Sequence, residues 1–203
     1  MNVHMKPHAP SCERNQGPIL EVLLKHFSDV KQVLEIGSGT GQHAVHFGAA
    51  MPWLTWQAAD VAENLPGIRL WLEDAKLPNL PPPLELDVGT GPWPAESYDA
   101  VFTANTLHIM GWPEVQKFFD GLGRVLAEDG LLVVYGPFNY GGKFTSASNA
   151  QFDVWLKERS PASGIRDFEA VDALASGINL TLLADHEMPA NNRTLVWRRK
   201  SAR

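Results

Sequence analysis

The residues best suited to chemistry lie in one short string, Glu35-Ile36-Gly37-Ser38-Gly39-Thr40-Gly41. Glycine lets the backbone take positive φ and lets a ligand approach main-chain atoms with no Cβ in the way. A turn alone needs one glycine. Three alternating glycines between an apolar run and a helical run point to a bound nucleotide-like molecule. The spacing is G-x-G-x-G, so Gln42 stands where the dinucleotide fingerprint G-x-G-x-x-G places its last glycine. No lysine follows Gly41, which removes the phosphate loop as well. Glu35, two residues before the first glycine, would repel a pyrophosphate and attract a cation. A nicotinamide-dependent oxidoreductase is therefore the second reading of this loop.

Two more carboxylates, Asp60 and Asp87, close later strand-like runs. Asp60 lies 19 residues past Gly41, close to the roughly 20-residue interval at which an acidic side chain meets ribose hydroxyls. Its alternative is to cap the segment that begins at Val61. Asp87, before Gly89, reads equally as a loop residue. Beyond the next strand-like run come Asn105, which can close a turn, and His108, which can take a proton. His43 and His46 are a helical turn apart with no third ligand evident, so no metal site is expected.

These residues need elements to hold them, and the chain supplies an alternation. Val33–Ile36, Leu54–Ala58 running to Asp60, Leu84–Leu86, Tyr98–Ala104 and Leu131–Tyr135 read as strands. Helices are expected over Gln42–Ala50, around Ile68–Leu77, and along the stripe Val115, Phe118, Phe119, Leu122, Val125 and Leu126. A helix opening at Gly17-Pro18 precedes them, with Ile19, Val22, Leu23 and Phe27 at helical spacing. Strands alternating with helices imply a mostly parallel sheet with helices on both faces, and a ligand at its carboxyl edge. After a helix over Asp167–Ser176, the strands Leu180–Met188 and Thr194–Arg199 are joined too closely to be anything but antiparallel. Residues 1–30 are expected to be a lead-in whose helix packs on the core, and residues 31–203 one domain. The polar stretch from Tyr140 to Asn149 suits a lid over the site.

Composition narrows the function classes. The 203 residues are 44% hydrophobic and 20% charged, values of a folded globular chain. The 17 basic against 23 acidic side chains give a net charge of −6, which argues against nucleic acid as a partner. No apolar stretch reaches the length of a membrane helix, and the first residues carry no secretory leader. The single cysteine, Cys12, allows no internal disulfide and suits a reducing compartment, with the cytoplasm expected.

The loop E-x-G-x-G-x-G, the acidic residues after the second and third strands, and Arg124–Leu132 before the fifth resemble class I S-adenosylmethionine-dependent methyltransferases. A narrower resemblance spans nearly the whole chain. It rests on Glu13–Leu20, Ser38–His43, Ala104–Ile109, Tyr135–Phe138, Phe144–Ser146 with Ser148–Ala150, Gly164–Asp167 and Met188–Asn192. Those strings are similar to the methyltransferase-like family known as domain of unknown function 938. The resemblance implies a Rossmann-like α/β fold with a seven-stranded sheet and an antiparallel C-terminal pair. It implies S-adenosyl-L-methionine as cofactor and S-adenosyl-L-homocysteine as product and leaves the substrate open; the acidic balance and compact length favour a small-molecule acceptor over nucleic acid. Glu35, Gly37, Ser38, Gly39, Thr40 and Gly41 would then line the cofactor's amino-acid end, with Asp60 on the ribose. Asp87 and Val88 would meet the adenine, and Asn105 and Leu107 the sulfonium side. His108 and Asn105 are the catalytic candidates. Arg14, Asn15, His43, Tyr135 and Phe138 are expected toward the acceptor, with Asn191 and Asn192 near the site. A non-catalytic module that binds the same cofactor is the third reading, and the oligomeric state is left open.

Overall fold

A computed structural model describes residues 6–201. The elements, in chain order, are α1 (Pro10–His26), β1 (Gln32–Ile36), α2 (Gln42–Ala50), β2 (Thr55–Asp60), α3 (Leu65–Ala75) and β3 (Leu84–Glu85). There follow β4 (Tyr98–Ala104), α4 (Trp112–Val125), β5 (Leu126–Gly136), β6 (Phe138–Asn139), α5 (Ala147–Arg159) and β7 (Arg166–Asp167). The chain closes with α6 (Phe168–Gly177), β8 (Leu180–Met188), a short 3₁₀ turn Pro189–Asn191 and β9 (Asn192–Arg199). Seven strands form one sheet in the order β3-β2-β1-β4-β5-β9-β8, and β6 pairs with β7 in a small second one. The sheet is mostly parallel, with β9 antiparallel to both β5 and β8. The expected fold class is therefore correct.

The chain divides into two compact units, Met1–Asp87 and Val88–Arg203. In the first, β1 and β2 pair from Gln32↔Thr55 to Ile36↔Ala59. Their side chains are buried on both faces, Val33, Leu34 and Ile36 against Trp56, Ala58 and Ala59, as a parallel strand covered on both sides requires. Gly48 on α2 lets Leu80 pack closely, since a Cβ there would sit 2.6 Å from Leu80 Cδ2. In the second unit, β5 is fully buried from Gly130 to Gly136. Val115, Phe118, Phe119, Leu122 and Val125 make the buried stripe of α4, as their spacing predicts.

Four local expectations need correction. The first helix starts at Pro10, and Pro18 lies inside it. Pro10 takes the first-turn position where its missing N–H costs nothing, and Asn15 already lies on the buried face. Leu126, expected on the helical stripe, instead opens β5, which starts five residues before the expected Leu131 and in which Asp129 takes φ of 60°. The pairing shifts between Tyr98↔Leu126 and Ala100↔Leu131, so the extra residues form a bulge. The third correction is α5, for which the sequence carries no apolar stripe. Its buried positions are Asn149, Asp153 and Leu156, so its inner face is largely polar and the hydrophobic period is missing. Its first residues fall in the stretch expected as a lid, where Tyr140 and Lys143 also bridge across Gly141-Gly142. Lastly, β6 and β7 are two residues each, below the length at which a pattern can be read.

Candidate functional site

In the first unit, β1 delivers Glu35 and the glycine loop to the carboxyl end of the strand. Gly37, Gly39 and Gly41 take φ of 74°, 58° and 89°, the left-handed region that only glycine enters at no steric cost. The loop is fastened to β2. Gly37 N and Ser38 N both donate to Ala59 O, at 2.9 and 3.1 Å, and Ala59 N donates to Ser38 Oγ at 3.1 Å. A Cβ at Gly41 would lie 3.1 Å from Ile68 Cα, whereas at Gly39 it would meet nothing within 4 Å. Position 41 is therefore closed by packing, and position 39 faces open space where a ligand can approach main chain. That opening, with three left-handed glycines behind it, fits the group the resemblance implies.

Three acids border the loop differently. Glu35 is 1% exposed, and its Oε2 accepts from Ser38 Oγ and Trp56 Nε1, both at 3.0 Å. Burial pushes its carboxyl up to about 7 against the pull of those two donors. Asp60 accepts Gly39 N at 2.6 Å through Oδ2, and Val61 N and Asn64 Nδ2 at 2.8 and 2.9 Å through Oδ1. It thus bonds the loop's central amide while also serving the segment that starts at Val61. Asp87 is exposed at the end of this unit.

Asn15 and His43 come together. Asn15 Oδ1 lies 2.7 Å from His43 Nε2, and both are buried. Desolvation, with His46 beside it, pulls the imidazole of His43 down to about 4. Thr40 Oγ1 and Ala9 N both donate to Gln42 Oε1, at 3.0 and 2.6 Å. Gln42, the residue that breaks the dinucleotide fingerprint, therefore ties the start of α1 to the glycine loop. Arg14 is exposed on α1. No group of three potential metal ligands occurs among the described residues.

The second unit holds the remaining candidates. Val88 lies in a recess of about 270 Å³ with Trp93, Lys117 and Arg124. Asn105 follows β4 with φ of 56° at a bend, and its N–H continues the ladder to β5 by donating to Tyr135 O at 2.9 Å. Tyr135 and Phe138 are buried, on β5 and β6. Leu107 and His108 are each 4% exposed. Burial, with the nearby Arg166 guanidinium, pulls His108 down to about 4, so its imidazole is neutral at pH 7. A Cβ on Gly136 would lie 3.5 Å from His108 Nδ1, and Phe152 meets the ring edge-on.

Residues without a role in the sequence reading hold this loop in place. Arg166 Nε donates to Leu107 O at 3.1 Å, Gly164 N to His108 O at 2.9 Å, and Ser163 Oγ to Ile109 O at 2.7 Å. Arg166 Nη2 donates to Met110 O and, at 3.0 Å, to Ala162 O. Four consecutive carbonyls are thus received by residues 163–166. Asp153, 4% exposed, accepts Ile165 N at 2.8 Å and sets that segment on α5. Gly164-Ile165-Arg166-Asp167 was visible as a string; only the fold reveals what its donors reach.

The fold is similar to solved methyltransferase structures. An O-methyltransferase family protein from Burkholderia thailandensis superposes with a TM-score of 0.79 at 15% identity, over 93% of this chain and 57% of that one. The S-adenosylmethionine-dependent methyltransferase SibL in its apo form gives 0.79 at 19% identity, over 94% and 56%. An O-methyltransferase family 2 protein from Planctomyces limnophilus in complex with apigenin gives 0.80 at 16% identity, over 93% and 57%. The chain spans little more than half the length of these proteins. Among the described residues no helix is long and apolar enough to cross a membrane. A family model matches residues 6–199, and the chain belongs to that family, Protein of unknown function (DUF938).

Proposed function

We propose that this chain is an S-adenosylmethionine-dependent methyltransferase acting on a small-molecule acceptor in the cytoplasm. The observation that carries the reading is the left-handed glycine loop between β1 and α2, open at Gly39 and bonded there to Asp60. When bound, the cofactor supplies an electrophilic methyl group on a positively charged sulfur. Gly37, Gly39 and Gly41 would let main chain reach the cofactor's amino-acid end. Asp60 would take a ribose hydroxyl on the one lone-pair site its three present bonds leave, since a carboxylate offers about four. Asp87 and the Val88 backbone would meet the adenine.

Glu35 acts through the loop rather than at its surface. Its carboxylate is enclosed by Ser38 and Trp56, so it fixes the hydroxyl that binds Ala59 N. Asn105 sets the bend from which Leu107 and His108 hang. A neutral His108 accepts a hydrogen bond from an acceptor O–H or N–H; so weak a base orients the nucleophile more than it deprotonates it. Alignment of this kind can supply about 7–11 kcal/mol of a transfer barrier.

Calorimetric titration with S-adenosylhomocysteine and with NAD tests the reading. S-adenosylhomocysteine should bind and NAD should not; the reverse order overturns the proposal. Asp60→Ala should weaken S-adenosylhomocysteine by about 1–3 kcal/mol, roughly 5- to 150-fold. Transfer of labelled methyl into a metabolite pool would separate an enzyme from a module that only binds.

A further inference from the structure

Residues Lys6 to Ala9, ahead of α1, are fastened to two elements of the first unit. On α3, a Cβ at Gly67 would sit 2.6 Å from Pro7 Cγ, so glycine there leaves room for the proline ring. Trp71 Nε1 donates to Pro7 O at 2.7 Å. The Lys6 ammonium stands 4.2 Å from the centre of the Trp71 ring and pairs with Asp74. Positions 67, 71 and 74 follow one another at the spacing of a single helix face. At the other end, Ala9 N donates to Gln42 Oε1, the same oxygen that holds Thr40 Oγ1. The thiol of Cys12, in the first turn of α1, is within hydrogen-bonding reach of the Thr40 side chain.

These two ends fall on the elements that frame the opening at Gly39. Thr40 is the chain neighbour of Gly39. Asp60, which accepts Gly39 N, also accepts Val61 N and Asn64 Nδ2 in the segment that leads into α3. A segment tied to both sides of a crevice can close over what lies in it. Its ties are also of a different kind from those of the helix it precedes. Helix α1 buries Asn15, Ile19, Val22 and Leu23, and so stays seated on the core. Lys6–Ala9 is held by two hydrogen bonds, a ring contact and an ion pair whose Asp74 side chain is 70% exposed. Exposed contacts of that sort are weak and open first. A pocket that buries most of a small ligand needs an element that moves to admit it, and this segment has the attachments of one.

We propose that residues 6–9 are a strap that lifts from α3 and Gln42 to admit the adenosyl cofactor, then re-seats and slows its release. The proposal rests on the methyltransferase reading and adds to it the gating of the cofactor site.

Hydrogen exchange of the Trp71 indole reads the strap, because that N–H bonds Pro7 O, and stopped-flow release of S-adenosylhomocysteine reads the consequence. In the full wild-type chain, saturating S-adenosylhomocysteine should slow the indole exchange by roughly tenfold or more. Asp74→Asn should leave the ligand-free melting temperature within about 2 °C of wild type. The same variant should quicken the indole exchange and speed release of S-adenosylhomocysteine by roughly fivefold or more. Trp71→Phe, which keeps a ring and loses the bond to Pro7, should speed release at least as much. Indole exchange indifferent to S-adenosylhomocysteine, or release that neither substitution speeds, would overturn the strap. So would a melting temperature that falls in Asp74→Asn as release quickens, since that marks general loosening. Wild type that binds no S-adenosylhomocysteine would instead sink the methyltransferase reading on which the strap's role rests.

Discussion

Gly39 and Gly41 share a backbone conformation but not a neighbourhood, and alanine at each should fail differently. Left-handed strain costs about 1–3 kcal/mol at either position. Gly41→Ala adds a clash with Ile68 main chain at 3.1 Å, so its melting temperature should fall further. Gly39→Ala should melt closer to wild type yet lose more cofactor affinity, because its methyl would fill the space a ligand needs; thermal denaturation and calorimetry on both variants separate the two roles. The loop and its acids were legible in the sequence because glycine spacing after a strand has few other uses. Their partners were not. Nothing in the string announces that Glu35 would be sealed by Trp56, or that Gln42 would reach back to Ala9, since both contacts join residues distant along the chain.

At the scale of elements, the brace from residues 163–166 fixes the loop after β4. Arg166→Met would leave the carbonyls of Leu107 and Met110 without their donor, at a cost of about 1–3 kcal/mol for each buried group. Amide exchange at Ile109 and Met110, whose N–H groups bond Thr106 O, should then quicken by tenfold or more. Exchange along β5 and β9 should stay slow; equal quickening there would mean global destabilisation instead of a loosened loop. The long apolar strands and α4 were readable because their periods are clean. The polar inner face of α5 hid it, and Asn149 and Asp153 are spent on contacts that only the folded chain defines.

For the molecule as a whole, three buried groups set opposing trends in stability with pH. Glu35 has its carboxyl raised from 4.5 to about 7, so the folded state holds a proton that the unfolded chain gives up, and stability falls as pH rises through that interval. His43 and His108, each lowered from 6.5 to about 4, stay neutral where the unfolded chain is protonated, so stability falls as pH drops from 6.5 toward 4. Wild type should therefore gain stability up to about pH 7 and change little above it. Glu35→Gln removes the opposing slope, and should gain more steeply and be more stable above pH 7, by an amount on the order of 3 kcal/mol. Urea unfolding between pH 4.5 and 8 checks this; parallel curves for the two proteins would refute it. The brace carries one more consequence. Its four bonds end on main-chain oxygens, so it is indifferent to which side chains residues 107–110 bear. Ile109 already points 54% into solvent. At an exposed position such as Ile109 the side chain can therefore change while the main-chain frame beneath it stays put.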